Sequence, residues 1–395
     1  MAKPFDIVII GGGLAGASCA LSILKANPSV SIALVEANEV TQQCHPSFDD
    51  RSIALAQQSV EYLQSLNLFQ ANASYSAAIK HVNVSDRGHF GKAQINSDEF
   101  AKSALGYVVE VNPLGRLLYQ RLEDSRVTLY CPDSVIAIKQ SADNNTLTLN
   151  SHEQLSAKLV VIADGAHSKT RELLGLSFKT APYKQGAIIA NIEVENGHNN
   201  HAFERFTEYG PMALLPMSNN RYSLVWCMAE QKIAEYMALN DALFINAFQQ
   251  AFGFRAGIFK KVGKRANYPL VYGQADALTA HRTVVIGNAA HAIHPIAGQG
   301  FNLGLRDVQA LSDLVATSKN ELGCYAFTRE YSQKRSRDIN TVMMLTDSLV
   351  RLFSNSSRVL ALGRSLGLLS MDLFPALKAP LAKQLMGQVK QGTRL

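Results

Sequence analysis

Three widely separated segments of this 395-residue chain carry residue types and spacings that hold phosphate and ribose. The first is Gly11-x-Gly13-x-x-Gly16, directly after an apolar run that ends at Ile10. The second is Asp164-Gly165, after the run Leu159 to Ala163. The third is Gly287-Asn288, followed by Gly298-Gln299-Gly300. In the first segment, Gly11 permits a tight turn, Gly13 lets backbone approach a pyrophosphate, and Gly16 lets helix and strand pack closely. The helix that follows offers free N–H groups and a positive dipole end to phosphate oxygens. Glu36 lies twenty residues after Gly16, at the end of the next apolar run. A carboxylate there accepts from a ribose 2′-OH and repels a 2′-phosphate.

A nicotinamide site would be complete within the first half of the chain. Here the second and third segments flank a large insertion, so a longer cofactor is expected. That points to non-covalently bound FAD and to redox chemistry. No second glycine fingerprint is present, so NAD(P)H is expected to visit as a transient reductant.

These residues need a scaffold that brings them together. Asp6 to Ile10, a helix from about Leu14 to Lys25, and Val30 to Val35 read as a β-turn-α-β unit, which builds a parallel sheet. A helix is expected from Ile53 to about Leu66, and another from about Pro113 to Leu122. Residues 75–100 read as extended segments, and Val127 to Asn150 as strands with a turn at 143–145. Residues 185–272 alternate as strands, interrupted by one helix over Asp241 to Phe252 with Asn240 as its N-cap. Val284 to Ile286 returns to the parallel sheet, Phe301 to Ser318 is helical, and the remainder is mostly helical. The fold class is α/β, with an FAD domain over 1–72, 101–182 and 275–330. An antiparallel substrate-side domain covers 73–100 and 183–274, and a helical region covers 331–395.

The second and third segments carry a family resemblance. Asp164-Gly165-Ala166-His167-Ser168-Lys169-Thr170-Arg171 resembles the Asp-Gly-x-x-Ser-x-x-Arg motif of flavoprotein hydroxylases of the para-hydroxybenzoate hydroxylase type. Gly287-Asn288-Ala289-Ala290-His291, Pro295 and Gly298-Gln299-Gly300 resemble that family's third motif. Asp50 to Leu55 and His294 to Gly304 are similar to the ubiquinone-biosynthesis hydroxylases. Phe203 to Glu208 and Leu224 to Cys227 most resemble the 2-octaprenyl-6-methoxyphenyl hydroxylase branch. The resemblance runs from about Asp6 to Asp307.

It implies a monooxygenase that reduces FAD with NAD(P)H and adds O2 at the flavin C4a position. The resulting hydroperoxide hydroxylates a polyprenylated methoxyphenol of ubiquinone synthesis. The same nucleotide motifs would also serve a flavin oxidoreductase of prenyl lipids that does not hydroxylate, or a non-catalytic flavoprotein subunit. Asn288 stands where the family motif has Asp; its carbonyl still accepts a hydrogen bond but brings no charge. Arg116 stands where Gln is usual, and an Arg at a helix start could hold a flavin phosphate.

The expected cofactor set is therefore Gly11, Gly13, Gly16, Glu36, Arg51, Arg116, Asp164, Gly287, Asn288, Gly298 and Gly300. Pro295, Gly298, Gln299 and Gly300 are the flavin-proximal candidates, and no catalytic base is assigned. Apolar residues that would keep water from a reactive intermediate are sought at Met212, Leu214, Leu224 and Trp226, for which a core role weighs equally. Arg171 is equally open, between transient contact with NAD(P)H and solvent. His198 and His201 sit in an Asn/Gly-rich loop and are expected to be solvated. His291 and His294 have an i, i+3 spacing but no third ligand nearby, so no metal is expected.

Five scattered cysteines (Cys19, Cys44, Cys131, Cys227, Cys324) form no C-x-x-C pair, which fits a reducing cytoplasm. No apolar run is long enough to span a bilayer, and the N-terminus lacks signal-peptide features. From Arg351 onward there are seven cations and one acid, an excess equal to that of the whole chain, +6. No aromatic-interleaved basic run suggests nucleic acid. An ordinary docking helix is the plainer reading of the apolar residues between these cations. The alternative is contact with an anionic membrane surface or a lipid-handling complex.

Overall fold

The computed structural model describes residues 2–39, 51–353 and 358–374, with short stretches at 377–379, 382–383 and 386–387. Cys44, Asp50, Lys390 and Arg394 lie outside the described residues. Nine helices are described: α1 (Leu14–Ala26), α2 (Gln57–Ser65), α3 (Val111–Glu123), α4 (Lys169–Leu173), α5 (Glu230–Ala238), α6 (Asp241–Phe252), α7 (Gln299–Thr317), α8 (Tyr325–Phe353) and α9 (Arg358–Leu373).

Strands Lys3–Ile10, Ile32–Val35, Gln154–Ile162 and Thr283–Val285 are dominated by Val, Ile and Leu. Such runs suit a parallel sheet buried on both faces. They form one: Lys3–Ile10 pairs in parallel with Ile32–Val35 and with Gln154–Ile162, which pairs in parallel with Thr283–Val285. Ile7, Val8, Ile9, Val160 and Val161 have no exposed surface.

A second sheet of nine strands carries the long strand Phe178–Val194 between Arg221–Ala229 and Ala266–Ala275, with Gly210–Pro216, His201–Thr207 and His81–Asp86 beyond. A small third sheet joins Ser52–Ala56, Gly106–Glu110 and Ser76–Ile79.

Three helices differ from the sequence reading, and one of them, the short α4, it did not contain. The helix expected from Ile53 starts at Gln57, because Ser52–Ala56 pairs antiparallel with Gly106–Glu110. That pairing is non-local and invisible to helix periodicity. Helix α5 was not expected, although Ile233, Tyr236 and Met237 stand at i, i+3 and i+4 and pack on the core beside Trp226. Helix α6 is as expected, with Asn240 Oδ1 accepting from the Leu243 N–H at 2.9 Å.

Candidate active site

The parallel strands deliver all three motif segments to one edge. Ile10 lies beside Val35 on one side and Ile162 on the other, and Ile162 lies beside Val285. The turns leaving these ends are stitched together. Gly11 N donates to Val35 O at 2.8 Å, Ala163 N to Ile10 O at 2.8 Å, and Ile286 N to Ile162 O at 2.9 Å. A crevice at the carboxyl ends of parallel strands is where such sheets bind nucleotides.

Gly11 has φ +99°, and a Cβ there would meet the Ala163 carbonyl oxygen at 2.6 Å. A Cβ on Gly16 would overlap the Gly11 carbonyl. Those glycines are needed by the fold itself. Gly13 and Gly300 differ, since a Cβ at either would meet nothing within 4 Å. The first turn of α1 has no side-chain cap and no acid, and neither does that of α7. Both helices leave their positive ends open to an anionic group.

Glu36 is buried. Its carboxylate accepts from Gly12 N at 2.6 Å and from the Asn38 N–H and Nδ2 at 2.8 and 2.9 Å. It therefore ties the glycine turn to the second strand. Tyr119 of α3 sits against Gly12. Arg116, one turn earlier on α3, is exposed and donates from Nε to Asn112 Oδ1 at 2.7 Å. Asp164 accepts through Oδ2 from Thr170 N at 3.3 Å, while its buried Oδ1 has no hydrogen-bond partner among the described residues. Asn288 is exposed at the tip of the turn whose flanks, Gly287 and Ala289, are buried. The Arg51 guanidinium lies 5.0 Å from the Tyr268 ring centroid and so links this crevice to the second sheet.

Pro295 is exposed, and its carbonyl accepts from Gly298 N at 3.2 Å. Gly298 takes a left-handed conformation (φ +62°), and a Cβ there would meet the Ala54 Cβ at 2.6 Å. Gln299 is buried at the start of α7. The open space beside Gly13 and Gly300, the unpartnered Asp164 oxygen and the two uncapped helix ends fit an extended, phosphate-bearing cofactor.

Two structural groups were missed by sequence reasoning. Asp307 on α7 is fully buried. Its Oδ2 accepts from Gly287 N at 2.9 Å and His291 Nε2 at 2.7 Å, and its Oδ1 accepts from Arg335 Nε at 2.8 Å. Burial pushes its pKa up, but His291, Arg335 and these hydrogen bonds outweigh that and hold it below the usual carboxylate range. Asn302 clamps the strand after Arg51 to the Gly298 turn. It accepts from Ala56 N at 2.8 Å and donates to Ala54 O at 2.7 Å and Gly298 O at 2.6 Å. Its place four residues after Gly298 was the available signal.

Arg171 does not face solvent. It is buried, stacks 4.3 Å from the Phe178 ring centroid, and donates to Ala289 O at 2.8 Å and Ala166 O at 3.2 Å. It thereby joins the second and third motif turns.

The four residues sought for the pocket wall lie on the side of their strands that faces α6. Met212, Leu214, Leu224 and Trp226 are buried in one cluster with Phe244, Phe248 and Phe252 of α6. Trp226 lies 5.4 Å from Phe248 and 5.8 Å from Phe244, centroid to centroid. They are core, held there by an aromatic helix that covers that side of the sheet. Trp226→Ala is expected to lower stability by about 3–5 kcal/mol and leave the KM for an aromatic substrate unchanged; thermal unfolding and steady-state kinetics check this.

Alternation then assigns Ile189, Ala213, Leu215 and Val225 to the opposite face. Ile189 pairs with Val225 in register, and both are only half-buried. Leu215 packs with Ala54 and Val108, and Phe206 with Ile296, so this face meets the residues beside Gly298. At its lower end a cavity of about 350 Å³ is lined by Glu110, Asn112, Asn191, Arg221 and Lys264, among others.

His198 is also buried, with Nε2 2.8 Å from Met217 O, and His201 stacks 4.3 Å from His81. The loop folds inward against Tyr222, which donates to His198 O at 3.3 Å. Among the described residues, no group of three or more His, Cys, Asp or Glu side chains is placed to hold a metal ion.

Comparison with known proteins matches this geometry to a family. The FAD binding domain family covers residues 4–346. The ubiquinone hydroxylase UbiL of Rhodospirillum rubrum is 34% identical over 99% of this chain and 91% of its own. The 3-demethoxyubiquinol 3-hydroxylase of Escherichia coli is 30% identical over 98% and 99%. The chain belongs to the ubiquinone-biosynthesis family of FAD-dependent hydroxylases. It is an FAD-dependent monooxygenase. Its fold is that of Klebsiella pneumoniae HpxO complexed with FAD, with a TM-score of 0.78 at 14% identity over 98% of this chain and 100% of that one. It is also that of the p-nitrophenol 4-monooxygenase PnpA of Pseudomonas putida, with a TM-score of 0.77 at 15% identity over 99% and 100%.

Proposed function

We propose that this monooxygenase uses NAD(P)H and O2 to hydroxylate a polyprenylated methoxyphenol of ubiquinone synthesis. The substrate would be met at a lipid surface or a lipid-handling assembly through the C-terminal helices. The observation that carries the reading is the half-buried apolar face of Ile189 and Val225, bounded by residues that pack beside the Gly298 turn. An aromatic ring with an apolar tail suits such a face.

Bound in the crevice, FAD supplies the two-electron redox chemistry and the activation of O2. The protein's part is placement. Gly11, Gly13 and Gly16 shape the phosphate turn, and Glu36 meets the ribose end. Arg116 and Asp164 flank the crevice, and Gly287 and Asn288 close its far wall. Gly298, Gln299 and Gly300 would open the start of α7 to the flavin, and its uncapped N–H groups would favour negative charge there. Pro295 fixes the approach to that turn, and Arg51 reaches across to Tyr268. The sheet face opposite excludes water from the reacting ring.

The test is product analysis. Purified holoenzyme with NAD(P)H and a short-chain prenyl methoxyphenol is expected to yield a product one oxygen heavier, labelled from ¹⁸O2. Reductant oxidation with no labelled product would sink the reading. Val225→Asp is expected to raise the KM for that phenol on the order of tenfold, about 1.4 kcal/mol, with little change in flavin content; a KM equal to wild type counts against this face.

A further inference from the structure

A single row of side chains crosses the second sheet on the side away from α6. Ile189 pairs with Val225, Val225 with Ala213, Ala213 with Glu204, and Glu204 with Val84. All but Glu204 are apolar. Residues opposite one another in register share a side, so the Glu204 carboxylate projects onto the apolar face that Ile189 and Val225 form. Its chain neighbour Phe203 packs on the α6 side instead.

The strand around Glu204 runs beside the flavin-proximal turn. Ala202 packs in one cluster with Ala54, whose Cβ adjoins Gly298, and Phe206 packs in another with Ile296, just before Gly298. Ala202 and Phe206 are buried, whereas Glu204 between them is half-buried. Its charge also bears on the Cys227 thiol, which lies on the same side as Val225; burial first, and then Glu204, push that thiol's pKa up. Two other acids border the face. Asp86 is buried and accepts from Arg364 Nε of α9 at 2.9 Å, and Glu110 lines the lower cavity with Arg221 3.0 Å away.

We infer that Glu204 is the general base of the hydroxylation and takes the phenol proton of the substrate. The inference rests on the proposed function for the identity of that substrate. A phenol ring lying on Val225 and Ala213 brings its hydroxyl against Glu204, at the edge of the apolar row. An ionised carboxylate accepts a strong hydrogen bond from such a hydroxyl. A ring carbon ortho or para to the hydroxyl gives a π pair to the incoming oxygen, and the phenol O–H bond breaks. Its electron pair becomes the carbonyl π bond of a dienone, and the proton forms an O–H bond on Glu204. The hydrogen on the newly oxygenated carbon then leaves to water as a proton, and its C–H pair restores the aromatic ring. Glu204 returns its proton to the ring oxygen and is ready for the next turnover. The oxygen atom comes from O2 and the electrons from NAD(P)H, both already part of the proposed reaction.

Glu204→Gln keeps the shape of the side chain and removes the base. In the FAD-loaded, full-length variant, flavin absorbance and thermal midpoint are expected to match wild type. Its kcat for a short-chain prenyl methoxyphenol is expected to fall on the order of 100-fold, with KM little changed. An analogue whose free hydroxyl is methylated has no proton to give. Wild type is expected to hydroxylate the phenol on the order of 100-fold faster than this ether, and Glu204→Gln to treat the two nearly alike. Glu204→Asp keeps a carboxylate and is expected to keep the preference for the phenol, which a purely structural role would not restore. A Glu204→Gln enzyme with wild-type kcat overturns the inference. So does a raised KM at unchanged kcat, or a wild type that turns over the ether as fast as the phenol. Should Glu204→Gln fail to hold flavin, Glu204→Asp decides, and loss of its preference for the phenol overturns the inference. A wild type that forms no ¹⁸O-labelled product sinks the proposed function as well. A labelled wild-type product with an unchanged Glu204→Gln kcat sinks this inference alone.

Discussion

Asp307→Ala is expected to cost about 3 kcal/mol of stability, because the buried Arg335 guanidinium loses one of its two carboxylates and keeps only the pair with Asp338. It also removes the acceptor that holds Gly287 N at 2.9 Å and His291 Nε2 at 2.7 Å. The third motif turn then loses its anchor to α7, and flavin content should fall with stability. Thermal unfolding and the flavin-to-protein absorbance ratio read both effects.

The pH dependence carries a sign. Asp307 has a lowered pKa in the folded protein. Its stabilisation is therefore full above the unfolded value, about 3.9, and is lost as pH falls through the folded value. Wild type is expected to lose stability steeply below about pH 4. Asp307→Asn, already destabilised at neutral pH, should show a shallower acid limb. An acid limb as steep as that of wild type would show that Asp307 is not the titrating anchor.

The second large effect separates cofactor binding from folding. Gly13→Val places its side chain where the structure has open space, at a backbone conformation (φ −64°, ψ −177°) open to valine. The variant is expected to fold, to keep its near-UV circular dichroism, and to bind FAD on the order of 100-fold more weakly, about 2.7 kcal/mol. Gly16→Val should not fold at all, since its Cβ overlaps the Gly11 carbonyl where helix and strand cross. Gly300→Val tests the other end of the crevice with the same expected split. A Gly13→Val protein that stays yellow with unchanged affinity would remove the pyrophosphate from this turn.

Much of this site could be read from local pattern. The strand ending at Ile10, the three glycines, the helix after them and the acid twenty residues on form one contiguous unit, and each is local in its physics. The Asn240 cap is local in the same way. Parallel pairing then does the rest for the second and third segments, because adjacent parallel strands must end on the same edge.

What the sequence could not decide is what each face meets. In Met212 to Leu215 and Leu224 to Trp226, alternation shows which residues share a side. Both sides are apolar, however, so the pattern does not say which one looks at the cofactor. Only the folded chain shows that helix α6 covers one of them, packing Phe244, Phe248 and Phe252 on Met212, Leu214, Leu224 and Trp226. Arg171, Asp307 and Arg364 teach the same point. A charge reads as solvated until a distant partner is placed beside it, and those partners lie 118, 20 and 278 residues away. Periodicity is a property of neighbouring residues in the chain, whereas burial is settled by contacts that only the folded chain brings together.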